Sequence, residues 1–177
     1  MEPDDLKIAI SNVIAFDTDV RGTYLFKSTW IETLLNQIIS YYFCSDDKIK
    51  RNQILSILIH DLNFSNKIRV FLNIMKSNYY EINKKHPELK KDLEQVRDWR
   101  NKFAHCMLDT TVEYIKKNTG KIRYEFYSDG KKQYLEITEN SIHKKISEIE
   151  NLQFTLLEIL QIISKEDSGV TSYIGSL

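Results

Sequence analysis

The chain is poor in residues that break or staple structure: its 177 residues include five glycines, two prolines and two cysteines. So few breakers leave little room for linkers or low-complexity tracts, and no internal repeat is visible. Cys44 and Cys106 lie far apart in no metal-like pattern, which argues against a disulfide framework and reads as two reduced, packing thiols of a cytosolic protein. There is no excess of charge either. Lys plus Arg and Asp plus Glu stand at 25 each, so the whole-molecule field attracts neither polyanions nor polycations, and nucleic-acid binding would need a local patch. No apolar run approaches the roughly 20 residues of a membrane span. The opening MEPDDLK is acidic where a signal peptide would be basic. The expectation is a soluble, cytoplasmic protein with no membrane partner. No HxxxH, CxxC or carboxylate-rich spacing suggests a metal, and neither a Gly-rich phosphate loop nor a Gly-x-Ser-x-Gly elbow occurs, so no cofactor is expected.

What is there is mostly helical patterning. The length suits one domain with a core of its own, expected over residues 1–165, followed by a loose tail over 166–177. Leu6, Ile10, Val13 and Ile14 predict a short first helix ending before a turn at Asp17–Gly22, and a second, central helix from about Tyr24 to Phe43 carries a broad apolar face. Ser45-Asp46-Asp47 predicts the start of a third helix, and Ser65 a cap for a fourth that turns Ile68, Phe71, Leu72 and Met75 inward. The pattern loosens between Asn78 and His86. After Leu108 the period changes to two: Val112–Lys117, Ile122–Tyr127 and Gln133–Thr138 are β-branched and aromatic, with turns at Asn118-Thr119-Gly120 and Ser128-Asp129-Gly130. They predict a small antiparallel β-meander, 111–138, inserted before a last long helix capped by Thr138 or Asn140. The fold class expected is mainly α: an antiparallel bundle of five to six helices with that insertion.

The stretch that stands out is Pro87–Leu108, PELKKDLEQVRDWRNKFAHCML. Pro87 fits the first position of a helix. Leu89, Leu93, Val96, Phe103 and Met107 recur at spacings of four and three, the pattern of a buried helix side. Arg100 occupies the remaining place in that series. A guanidinium cannot deprotonate and costs several kcal/mol if desolvated without a partner, so the fold must supply a carboxylate, a wet cleft or an anionic ligand. Asn101 follows it, and His105, four residues beyond Asn101, shares a helix face with Asn101 and Arg97.

Arg100-Asn101-Lys102-Phe103-Ala104-His105 resembles the signature of the HEPN superfamily, an Arg, usually followed by a polar residue, and a His a few positions later on a helix of a small all-helical domain. The likeness covers six residues of 177; the remainder of the chain matches by architecture alone. It implies a metal-independent endoribonuclease, often a bacterial toxin or phage-defence effector, in which the ribose hydroxyl attacks the adjacent phosphate and leaves a cyclic phosphate. On that reading Arg100 grips the phosphate and stabilises its developing charge. His105, with an ordinary imidazole pKa near 6.5, exchanges the protons. Asn101 orients the ring or the phosphate, and Arg97 and Lys102 contact the RNA backbone. The resemblance also implies a homodimer whose motifs line one cleft. Some relatives pair with an antitoxin that modifies a tyrosine two positions after the histidine; that position here is Met107.

Each residue has a plainer reading. Arg100 could form a structural salt bridge, for instance to Glu32; His105 could be a hydrogen-bonded residue near a helix end; Asn101, Arg97 and Lys102 could simply be solvated. The basic run of Lys84, Lys85, Lys90 and Lys91 is balanced by Glu88, Asp92 and Glu94. In the meander, Lys116, Lys117, Lys121, Arg123, Lys131 and Lys132 alternate with Tyr114, Tyr124, Tyr127 and Tyr134, which suits either a platform for single-stranded RNA or a charged outer face. Five residues of helix also turn Arg100 and His105 roughly 140° apart, so one straight helix does not aim both at one point. The alternative function is a non-catalytic helical module that binds RNA, a nucleotide or a protein partner.

Overall fold

The computed structural model describes residues 2–44, 47–117, 120–128 and 130–165. Its first element departs from expectation. Helix α1, Pro3–Phe43, runs unbroken for 41 residues through the stretch where a turn was expected. Asp17 and Arg21 lie one helical turn apart and pair with each other at 3.2 Å, so their polarity serves an inward contact within a continuous helix. Gly22 is exposed, and a Cβ there would meet nothing within 4 Å. It weakens the helix by about 1 kcal/mol without breaking it.

Helix α2, Lys48–Ile54, is capped by Asp47, whose carboxylate accepts the amides of Ile49 and Lys50 at 2.9 and 3.0 Å. Ser45 and Asp46, the rest of the expected start signal, lie outside the described residues. A π-helical turn, Leu55–Ile59, follows. Helix α3, Phe64–Asn78, is capped by Asn63, which accepts the Asn66 amide at 2.9 Å, and not by Ser65. Its Ile68, Phe71, Ile74 and Met75 are buried, whereas Leu72 is half-buried. Where the pattern loosened there is a short helix α4, Tyr80–Lys85. Helix α5, Leu89–His105, starts two residues after Pro87, which lies in the preceding turn, and stops three residues short of Leu108.

Beyond α5 the chain enters a three-stranded antiparallel sheet of order β1-β2-β3, built from Met107–Leu108, Lys121–Ser128 and Lys131–Thr138. Leu108 pairs with Tyr124, Glu125 with Tyr134, and Tyr127 with Lys132. Ile122, Tyr124 and Ile137 are buried, as the alternation required. The expected strand at Val112–Lys117 is instead helix α6, and Met107–Leu108 takes its place in the sheet. Asp109 starts that helix by accepting both the amide and the hydroxyl of Thr111, at 2.9 and 2.7 Å. The adjacent Tyr114 and Ile115 are then both buried, which a strand's alternation would forbid. Asn118, Thr119 and Asp129 of the expected turns lie outside the described residues. Helix α7, Glu139–Lys165, begins at Thr138, which exchanges hydrogen bonds with Ser141 at 3.1 and 3.2 Å.

Among the described residues the architecture is thus mainly α, seven α-helices with a small antiparallel sheet before the last. Two expected helices fuse into α1, and the short α4 and α6 are additional. The contacts gather into two compact units, the residues up to Lys27 with Asp98–Glu148, and Ser28–Arg97 with those from Ile149 onward. Among the described residues the elements of the second are all helices, with Leu35 and Ile38 of α1, Phe71 and Met75 of α3, Leu93 of α5, and Leu156 and Ile159 of α7 deeply buried. It also holds an ion pair between Lys67 and Glu32, 2.6 Å apart. The first contains the sheet, the end of α5 and the motif histidine.

Candidate functional site

The first unit builds the end of α5 around one ring. Phe103 is buried, its centroid 5.0 Å from Tyr24, 5.6 Å from Trp99 and 5.8 Å from Tyr124. This aromatic anchor fixes the helix face, so Arg100, three residues earlier, falls on the same side. Its side chain is half-buried. Nη1 donates to Asn101 Oδ1 at 3.4 Å, and Arg100 forms no ion pair with any described residue. The carboxylate named as its plain partner, Glu32, is bound by Lys67. Asn101 and His105 are exposed, and His105 is the last helical residue, with no hydrogen bond to its ring among the described residues.

The remaining site residues are differently placed. Lys102 is half-buried with Nζ 5.0 Å from the Trp99 ring, and Lys145 approaches that ring at 5.1 Å. Trp99 thus already engages the Lys102 ammonium. Arg97 is half-buried and belongs to the second unit. Met107, expected on the buried stripe, is 63% exposed, because the chain has left the helix and entered β1. The helix does not fray before His105: the Cys106 amide still donates to Lys102 O at 2.8 Å. The roughly 140° between Arg100 and His105 therefore stands, and within one chain the two do not converge.

A second set of residues, not foreseen, holds this helix end. Arg21 Nη1 donates to the carbonyls of Phe103 and Cys106 at 2.9 and 3.0 Å. Its other nitrogens, Nε and Nη2, donate to Asp17 Oδ1 at 3.4 and 3.2 Å, and the Tyr124 hydroxyl donates to the same oxygen at 2.6 Å. The Arg21 guanidinium carbon lies 5.3 Å from the Tyr124 ring centroid. Burial pushes the Tyr124 phenol well above its ordinary range, and its bond to Asp17 pushes the same way. The sequence carried a signal for this set. Asp17 occupies the place between Val13 and Val20 in the α1 stripe, as Arg100 does between Val96 and Phe103 in α5.

The sheet has its own buried pair. Asp109 is 5% exposed and receives Arg123 Nε at 2.7 Å and Nη2 at 2.6 Å. The guanidinium is flanked by the rings of Tyr114 and Tyr134 at 4.0 and 4.7 Å. Burial would raise the Asp109 carboxyl, but its bonds from Thr111 and Arg123 outweigh this and hold it below the usual carboxylate range. On the same hairpin Lys121 pairs with Glu136, and Lys132 with Glu125. Tyr127 and Tyr134 are exposed, but the cations beside them are largely neutralised. In the basic run Lys90 pairs with Glu94 and Lys91 with Glu88. A cavity of about 220 Å³ in the second unit is lined by Lys85, His86, Glu88, Asp92 and Thr155 among others, and by none of the motif residues.

Among the described residues no group of three His, Cys, Asp or Glu could hold a metal ion, and no helix is long and apolar enough to cross a membrane. No family model matches the chain, and neither does any curated protein or solved structure compared with it.

Proposed function

We propose that this chain is a metal-independent endoribonuclease of HEPN type. The observation that carries the reading is the Arg100 guanidinium, half-buried on an otherwise apolar stripe without a carboxylate partner among the described residues. Placing a permanent cation there is costly unless something anionic meets it, and a phosphodiester suits the planar fork of an arginine. In the reaction, the ribose 2′-oxygen attacks phosphorus, its proton passes to a base, the 5′-oxygen leaves with a proton from an acid, and a 2′,3′-cyclic phosphate remains. His105, exposed at the helix end, is the group for proton transfer. Asn101, already bonded to Arg100, aligns the guanidinium.

Since Arg100 and His105 diverge on one ordered helix, the complete site on this reading needs two copies of the chain. A two-fold homodimer places two arginines and two histidines together, so identical chains supply both acid and base. A role as a toxin or phage-defence effector, and an antitoxin partner, rest on the resemblance alone. Purified protein incubated with total RNA and a chelator should cut it. Arg100→Ala and His105→Ala should abolish cutting while leaving the circular dichroism spectrum unchanged, and equal cutting by the variants ends the proposal.

The same divergence favours a second reading, a module that binds RNA, a nucleotide or a protein partner through Arg100 without cutting. RNA retained intact by the wild type and released by Arg100→Ala would select it.

A further inference from the structure

We propose that Arg21 is a positioning residue for the motif, clamping the end of α5 so that His105 is presented at a fixed place; the part of this that concerns cutting rests on the ribonuclease reading. The last carbonyls of a helix have no partner within it. Here Arg21 Nη1 donates to two carbonyls at that end, Phe103 within α5 and Cys106 just past it, which bracket His105 in the chain. A cation at a helix C-terminus is also favoured by the helix dipole, and that preference holds Arg21 at this end of α5.

The clamp is itself held. Asp17, one turn earlier on α1, takes the remaining nitrogens, and the Tyr124 hydroxyl completes Asp17 from the sheet. Tyr124 is in turn the register partner of Leu108, three residues after His105. The backbone on either side of His105 is therefore pinned from α1 through Arg21 and from β2 through the β1 pairing, while the imidazole between these ties is exposed. The recorded bonds of Arg21 and of the Tyr124 hydroxyl all end on groups of the fold itself, so the network is read as a support.

The clamp is tested on the full chain with Arg21→Ala, read by amide hydrogen exchange and by RNA cleavage kinetics. Exchange at the Cys106 amide should quicken at least tenfold while the central amides of α7 keep their protection. The kcat for cutting should fall at least tenfold with KM within twofold, and Arg21→Lys, which keeps the charge and reaches one carbonyl, should recover part of both. Unchanged exchange at Cys106 overturns the clamp; quickened exchange with unchanged kcat overturns its role in positioning His105. If the wild-type protein cuts no RNA, the ribonuclease reading fails by itself, and the exchange measurement still decides the clamp. Should Arg21→Ala not fold, Tyr124→Phe, which removes only the hydroxyl on Asp17, should give the same pattern at smaller amplitude, and its absence counts against the proposal equally.

Discussion

Asp17 and Arg100 each stand where a helix stripe calls for an apolar side chain, and the first unit handles them in opposite ways. Asp17 receives Arg21 and Tyr124, whereas Arg100, among the described residues, donates only to the Asn101 amide oxygen. Removing Asp17 takes the acceptor from Arg21 Nε and Nη2 and from a buried phenol, so Asp17→Ala should lower stability by about 3 kcal/mol. Arg100→Ala, with no ion pair to break among the described residues, should cost less than about 1 kcal/mol. Urea denaturation of both variants checks this, and equal losses would mean that Arg100 is a structural charge after all. Asp109 permits a prediction in pH. Its carboxyl is held below the usual range in the folded chain, so its pairing with Arg123 contributes fully above the unfolded value of about 4 and is lost as pH falls through the lower folded value. Thermal melts of wild type and Asp109→Asn should differ at pH 7 and draw together as pH falls below the ordinary carboxylate range. At this scale the anomaly at Arg100 was legible because charge interrupts a regular spacing. Asp17 escaped because a polar cluster ending in Gly22 also looks like a turn, and spacing alone does not say which.

At the scale of elements, the same ambiguity explains where helix and strand boundaries moved. Gly22 lies in open space on a continuous helix, so Gly22→Ala should stabilise the protein by about 0.5–1 kcal/mol. A turn at that position would instead make the substitution neutral or harmful, and a shift in the urea midpoint separates the two. The alternation of Ile122 and Tyr124 identified β2, because every second side chain enters the core. Val112–Lys117 has comparable β-forming composition, yet the Asp109 side chain commits it to α6. That is a local hydrogen-bond choice that overrides propensity, and composition does not reveal it. The caps follow the same logic. Thr138 was one of two candidates for α7, and Asn63 won over Ser65 at α3 because it stands one residue before the first helical position. Thr138→Ala should cost about 1 kcal/mol.

For the whole molecule, a mainly helical chain with a small sheet before its last helix was legible from the change of period alone, since 3.6- and 2-residue spacings demand different backbones. The continuity of α1 was not, because it depends on partners 82 to 107 residues away in sequence. Within one chain Arg100 and His105 diverge on α5. The homodimer proposal answers that, and light scattering at micromolar concentration should return twice the 21.0 kDa of one chain. A stable monomer would count against a shared site. The most direct test of the central claim, that Arg100 is placed to meet a phosphate, is the affinity for a 2′-O-methyl RNA oligonucleotide measured against salt for wild type and Arg100→Ala. The claim predicts at least tenfold weaker binding for the variant and a salt slope shallower by about 0.7, the share of one phosphate contact on a single strand. The same affinity and slope in both proteins would contradict it.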